Sequence, residues 1–282
     1  MIGRRSLFLL SALVFGFAFL YVPILSMIVF SFNESRLVTA WTGFSFKWYG
    51  QLFDNDALLD AALLSVRIAV VTACGATVIG TFAGYALARF GRFRTRTALA
   101  GTVMAPLVMP DVITGLSLLM LFVAFAGWPM IPEDRGFRTI AIAHITLAMS
   151  YVAVIVQSRL ATMDESLEEA AMDLGARPMA VFRSVTLPLI APAMISGWLL
   201  SFTLSLDDLV IASFTAGPST NTLPMMIFST VRRGVTPQIN ALATLMVGIV
   251  TLCVVVAGVS MSRNERRRRR DARLAAAEPQ AA

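Results

Sequence analysis

The sequence predicts an all-α integral membrane protein with six transmembrane helices. Of its 282 residues, 57% are hydrophobic and only 14% are charged, and the mean hydropathy is +0.75. These values lie far outside the range of an ordinary soluble domain. A helix needs about 20 mostly apolar residues to cross a bilayer. Six stretches satisfy this within a single membrane domain over residues 1–282: 7–31, 63–88, 103–125, 139–160, 189–211 and 240–262.

The placement of the basic residues predicts the orientation. With six spans, both termini lie on the same side of the membrane. That side, which includes the loops near 89–98 and 159–188, holds 16 of the 23 Lys and Arg residues. The positive-inside rule therefore places both termini in the cytoplasm. The run Arg266–Arg270 follows the last span, where contact with anionic lipid headgroups is a better explanation than nucleic-acid binding.

No constellation in the sequence indicates an enzyme, a cofactor site or a metal site. Cys74 and Cys253 fall inside predicted spans without metal-ligand spacing. A phosphate-binding P-loop needs a lysine after glycine, whereas the one lysine, Lys47, precedes Trp48. The single histidine, His144, lies in a span and is interpreted as a hydrogen-bonded core residue. Any ATP is therefore expected to be bound by a partner.

Two tryptophans lie in the segment between the first two spans, on the outer side. Trp41 and Trp48 stand there among polar residues. Amphipathic rings of this kind favour the headgroup level of a bilayer. We therefore expect both to be membrane-interface anchors.

The long inner loop, residues 161–188, has the pattern of two helices joined by a turn. Ser166 and Glu169 have the spacing of a capping box. Gly175 is suited to a helix stop, and Pro178 to the first position of a second helix. The pattern by itself leaves two interpretations open: a docking device for a partner, or a surface helix that only links two spans.

The same loop carries a motif that resembles the EAA signature of binding-protein-dependent ABC importer permeases. The matching residues are Glu169-Ala170-Ala171, then Gly175, then Val185-Thr186-Leu187-Pro188, with Val185 in place of the usual isoleucine. The resemblance implies a type I, MetI-like architecture and a coupling helix that docks on an ATP-binding subunit. The implied coupling residues are Glu169, Ala170, Ala171, Met172, Asp173, Leu174, Gly175, Leu187 and Pro188.

Further segments resemble the polyamine-importer permeases, especially the putrescine subunits, and include WTGFSFKWYGQLF and SGWLLSFTLSLDDLVIASF. The resemblance implies import of a polyamine, putrescine or spermidine, across a bacterial inner membrane. It also implies three kinds of partner: a dimer of ATP-binding subunits, a second homologous permease and a periplasmic polyamine-binding protein. A self-contained secondary transporter or channel for an organic cation is the alternative.

Acidic and aromatic residues in or near the spans are candidates for the path of a cation. Asp111, Asp207 and Asp208 stand where an ionisable side chain is costly and often functional. Trp198 and Phe202, four positions apart on one predicted helix, offer ring faces to a cation. Each has a simpler explanation: a position at the membrane interface for Asp207 and Asp208, a helix cap for Asp111, and packing for the rings.

Overall fold

The computed structural model describes residues 4–36, 40–128, 132, 134–234, 237–249, 251, 252 and 255. Within them helices are the regular elements, and β pairing is limited to one isolated bridge between Asn33 and Phe44, which confirms the all-α class. The helices are α1 (Arg4–Phe30), α2 (Lys47–Phe53), α3 (Asp56–Arg89), α4 (Arg96–Val108), α5 (Asp111–Ala124), α6 (Phe137–Ala161), α7 (Ser166–Asp173), α8 (Pro178–Val181), α9 (Leu187–Asp207), α10 (Val210–Thr215), α11 (Leu223–Arg233) and α12 (Pro237–Ile249).

Four helices of the described part are long and apolar enough to cross a bilayer, or five if one bent pair counts as a span. The four are the apolar part of α1, α3, α6, and the continuous run Pro178–Asp207 that ends with α9. Of the predicted sixth span, 240–262, the structure describes α12 and residues 251, 252 and 255. The basic tail Arg266–Arg270 lies outside the described residues.

The bent pair occupies the predicted span 103–125, where α4 and α5 meet at an angle of 118°. Met109 is extended between them, with φ −77° and ψ 136°. A residue before proline is driven out of the helical region, and Pro110 has no N–H to continue the helix. The proline that follows Met109 thus divides this stretch into two helices.

The chain divides into two compact units, and the larger one, 56–229, is built around α3, α6 and α9. Small side chains recur along one face of α3 at every third or fourth residue. This is the helical spacing that lets two backbones approach closely in a membrane. The buried residues of this face are Ala69, Ala73, Ala76, Gly80 and Gly84.

The main chains of α3 and α6 approach each other closely. A Cβ added to Gly80 would lie 2.6 Å from the Met149 carbonyl oxygen, and one added to Gly84 would lie 2.6 Å from that of Ala153. Fully buried Val152, Val156 and Leu160 of α6 then meet Ile190 of α9 in one apolar cluster. Close backbone contact thus joins α3 to α6, and branched apolar side chains join α6 to α9.

The smaller unit comprises the chain up to residue 55 and from residue 230 onward. In it, the side chain of Asn33 donates to the Ala40 carbonyl and accepts from the Thr42 N–H. Trp48 is buried and donates its indole N–H to the Asn33 carbonyl oxygen at 2.6 Å. The expectation that Trp48 is a membrane anchor is wrong, because its polar atom is used inside the fold. Trp41 is exposed, as an anchor requires.

The glycine positions generate a stability prediction. Gly80→Ala is expected to lower the free energy of unfolding by about 1–3 kcal/mol, because its methyl group overpacks a rigid backbone contact. Gly101→Ala in α4 is the matched control, because a Cβ there meets nothing within 4 Å. Thermal unfolding of the two variants in detergent checks the difference. Equal midpoints would show that the α3–α6 contact tolerates a methyl group.

Candidate functional site

The first helix of the inner loop is α7. Its first residue, Ser166, donates its backbone N–H to Asp164 Oδ1 at 3.0 Å. This backbone bond and a side-chain bond from Ser166 lower the pKa of the Asp164 carboxyl below its usual value. The prediction of a capping box between Ser166 and Glu169 is wrong. The N-cap residue of α7 is Glu165, and no side chain forms a capping hydrogen bond at this helix start.

The predicted glycine turn and second helix are confirmed. Gly175 has φ +87°, a left-handed conformation that side chains with a Cβ rarely adopt. Arg177 is extended, and α8 begins at Pro178. A helix, a sharp turn and a second helix therefore form the loop, as the sequence indicates.

A π-helical turn, Phe182–Thr186, joins α8 to α9. Its widened geometry shows in the N–H of Leu187, which donates to Phe182 O, five residues earlier. Pro188 follows directly, and a proline ring collides with the carbonyl of the residue four positions before it, here Ser184. The π turn moves that carbonyl region away and lets α9 continue through Pro188.

The loop presents apolar side chains to its surroundings. Leu174 is 90% exposed, and Leu167, Met172 and Met179 are also exposed. We call these four residues the loop surface. Three other residues of α7, Glu169, Ala170 and Asp173, are exposed, and Ala171 is half-buried. At the start of α9, Pro188 is exposed and Leu187 is half-buried. Exposed apolar side chains grouped on a short loop are typical of a protein-binding surface.

The loop is fastened to the end of α3 by an ion pair that the sequence analysis missed. Arg89, the last residue of α3, donates from Nε to Glu168 Oε2 at 2.9 Å and from Nη1 to Glu165 Oε1 at 2.8 Å. The side chains of Arg89 and Glu168 are only 9% and 10% exposed, whereas that of Glu165 is 64% exposed. Removing one member of a buried pair costs about 3–5 kcal/mol.

The other carboxylate oxygen of Glu168 is also occupied. Thr186 Oγ1, in the π turn, donates to Glu168 Oε1 at 2.6 Å. We call Arg89, Glu168 and Thr186 the Arg89 clamp. It joins α3, α7 and the entry to α9 at one carboxylate. Tyr85 of α3 also contacts Phe182 of the π turn edge to face, with ring centroids 5.1 Å apart.

A second polar cluster lies at the other end of α9. His144 of α6 is buried, with Nδ1 at 2.7 Å from Ser205 Oγ and Nε2 at 3.1 Å from Asp208 Oδ2. The Asp208 carboxylate also accepts the backbone N–H of Ala212 at 2.7 Å, at the start of α10. The interpretation of His144 as a hydrogen-bonded core residue is confirmed, and its partners are Ser205 of α9 and Asp208, the residue that follows α9.

The remaining candidates for the substrate path do not form one group. Asp207 is exposed at the last position of α9. Trp198 and Phe202 stack with centroids 5.5 Å apart, and the indole N–H of Trp198 points at Cys74 Sγ of α3 at 3.4 Å. Nine helical positions separate Trp198 from Asp207, which is about 180° around the axis. Asp111 is exposed and is the first residue of α5.

Two solved structures share the fold. A bacterial ABC transporter involved in the import of the acidic polysaccharide alginate matches with TM-score 0.67 and 14% identity, over 92% of this chain and 98% of that chain. An inward-facing MetNI methionine ABC transporter matches with TM-score 0.58 and 18% identity, over 73% of this chain and 94% of that chain. The expected MetI-like architecture is confirmed at the level of the fold.

Sequence relatives are much closer. The chain is 56% identical to the putrescine transport system permease protein PotI of Escherichia coli strain K12, over 95% of each chain. It is 44% identical to the spermidine/putrescine transport system permease protein PotC of Haemophilus influenzae, over 88% of this chain and 94% of that protein. The model of the family described as binding-protein-dependent transport system inner membrane component matches residues 76–270. The chain belongs to this family of inner membrane transport components.

Proposed function

We propose that the chain is the permease subunit of an ATP-driven importer that carries a polyamine, putrescine or spermidine, into the bacterial cytoplasm. One observation carries the proposal: 56% identity to PotI over 95% of both chains. This match includes the inner loop and the acidic end of α9. The partners of the chain in this proposal are a dimer of ATP-binding subunits, a second homologous permease and a periplasmic polyamine-binding protein. The chain binds no nucleotide itself.

In this proposal the loop surface docks on the ATP-binding subunit at the cytoplasmic face, where both termini also lie. Leu174 projects next to the Gly175 turn, and Met172 and Met179 flank it on the two helices. Such apolar side chains lose contact with water on binding, which favours the complex. The exposed carboxylate of Glu169 adds a charged contact at the edge of the same surface.

The cation meets Asp207 rather than Asp208 on its path. The Asp208 carboxylate accepts bonds from His144 and from the N–H groups that begin α10. The neighbouring Asp207 is exposed. At about 1.5 Å per residue, the 21-residue α9 places it roughly 30 Å from the coupling loop, near the outer boundary. An exposed carboxylate there attracts a dication without disturbing the fold.

The function is tested by reconstituting the chain with its cognate partners in proteoliposomes and measuring uptake of labelled putrescine. We expect uptake that requires both ATP and the loaded binding protein. Unlabelled spermidine added in competition ranks the two substrates. Transport by the purified chain alone, without ATP, would instead establish a secondary transporter.

The docking surface is tested with Leu174→Ser. Because Leu174 is 90% exposed, this substitution is expected to leave the fold intact. It removes an apolar contact of the interface, and a loss of about 1.4 kcal/mol corresponds to tenfold weaker binding of the ATP-binding subunit. Leu174→Met, which keeps the apolar contact, is the matched control. Affinity co-purification in detergent measures the bound fraction. Full retention by Leu174→Ser would remove this residue from the interface.

A backbone variant tests the turn itself. Proline fixes φ near −65° and cannot adopt the φ of +87° found at Gly175. Gly175→Pro is therefore expected to leave the protein in the membrane and to abolish ATP-dependent uptake. Transport assays paired with membrane immunoblots separate the two effects. Wild-type uptake by this variant would contradict a coupling role for the turn.

The two neighbouring aspartates are expected to differ. Asp207→Asn raises the KM for putrescine uptake and leaves thermal stability unchanged. Asp208→Asn lowers the unfolding midpoint, because charge-assisted hydrogen bonds contribute about 1.5–3 kcal/mol each. Uptake kinetics and thermal unfolding of both variants measure the two properties. A stable Asp208→Asn with a raised KM would reverse the assignment.

A further inference from the structure

We propose that the Arg89 clamp is the joint that passes displacement of α7 to both α3 and α9 during each transport cycle. This inference rests on the proposed function, because it takes the loop as the place where the ATP-binding subunit pushes. Arg89, Glu168 and Thr186 are positioning residues in it, since they hold the moving elements together and touch neither substrate nor nucleotide.

Within α7, one side chain is buried against the rest of the larger unit. The helix has eight residues, and Glu168 is the only one of them that is buried. The next residue, Glu169, lies about 100° further around the axis and is exposed. A push on the exposed side of α7 is therefore delivered to the helices through the Glu168 carboxylate.

That carboxylate is held by two donors from two different elements. Arg89 Nε occupies one oxygen at 2.9 Å, and Thr186 Oγ1 occupies the other at 2.6 Å. The guanidinium is a planar fork with fixed donor directions, and charge-assisted bonds are short and strong. Both features make the joint stiff, so the carboxylate and its donors move as a unit.

Each donor stands at the end of a long helix. Arg89 is the last residue of the 34-residue α3, where a cation also interacts favourably with the helix dipole. Thr186 directly precedes the 21-residue α9. Movement of the Glu168 carboxylate thus shifts the cytoplasmic ends of two helices that continue across the membrane.

The chain contains an internal comparison for this joint. Glu165 also bonds Arg89, at 2.8 Å, but its side chain is 64% exposed. Exposed ion pairs contribute little, because water and salt screen them. Glu165→Gln removes the same charge from the same arginine while leaving the bonds of Glu168 in place, so it is the matched control for Glu168→Gln.

The test measures putrescine uptake and ATP hydrolysis together in the reconstituted complex, and compares the ratio of the two. We expect Glu168→Gln to lower uptake per ATP by about fivefold or more, the size of a typical coupling between sites. Glu165→Gln, and Arg92→Gln at a nearby exposed arginine, change the ratio by less than about twofold.

Thr186→Val keeps the side-chain shape and every charge, and removes only the hydroxyl donor. It is also expected to lower uptake per ATP, and it decides the question if the Glu168→Gln complex does not assemble. A merely structural clamp lowers uptake and hydrolysis in parallel, and an unchanged ratio in Thr186→Val would overturn the proposal. Absence of ATP-dependent uptake by the wild-type complex would instead contradict the proposed function.

Discussion

The main chains of α3 and α6 lie close together because Gly80 and Gly84 leave no side chain between them. In a bilayer the lipid tails are as apolar as the helices, so helix association depends on close contact and on polar bonds rather than on escape from water. The small-residue face of α3 supplies this contact along much of its length. Arg89 is the last residue of the same helix, five positions after Gly84, so this contact helps to hold the position of its side chain.

Two polar fastenings lie at opposite ends of the α3–α6–α9 group. The Arg89 clamp ties the inner loop to α3 and to the entry of α9, and the pair His144–Asp208 ties α6 to the turn between α9 and α10. Roughly 30 Å of α9 separates them. In each cluster a carboxylate accepts bonds from more than one element, which makes it part of the framework.

Local features of the fold were predictable where a residue acts on its own backbone. Gly175 and Pro178 set the turn and the second helix of the loop through allowed φ values alone. The capping box was mistaken because Asp164 competes for the same N–H group as the predicted arrangement. The break at Pro110 follows from the same proline rule, but the length of the apolar stretch suggested one continuous span instead.

The sequence by itself determined the membrane class, the helix-turn-helix loop and the family, because these depend on composition, short-range backbone rules and a motif. Tertiary structure decided which acid of each adjacent pair is hydrogen-bonded to a distant part of the chain. Glu168 and Glu169 are identical in type and differ only by about 100° of rotation around α7. Asp207 is the last residue of α9, and Asp208, of the same type, follows it with an extended backbone. Partners from distant parts of the chain choose between them: Arg89 lies 79 positions from Glu168, and His144 lies 64 positions from Asp208. The side of the helix on which such a partner lies depends on the tertiary fold, and no local sequence pattern predicts it.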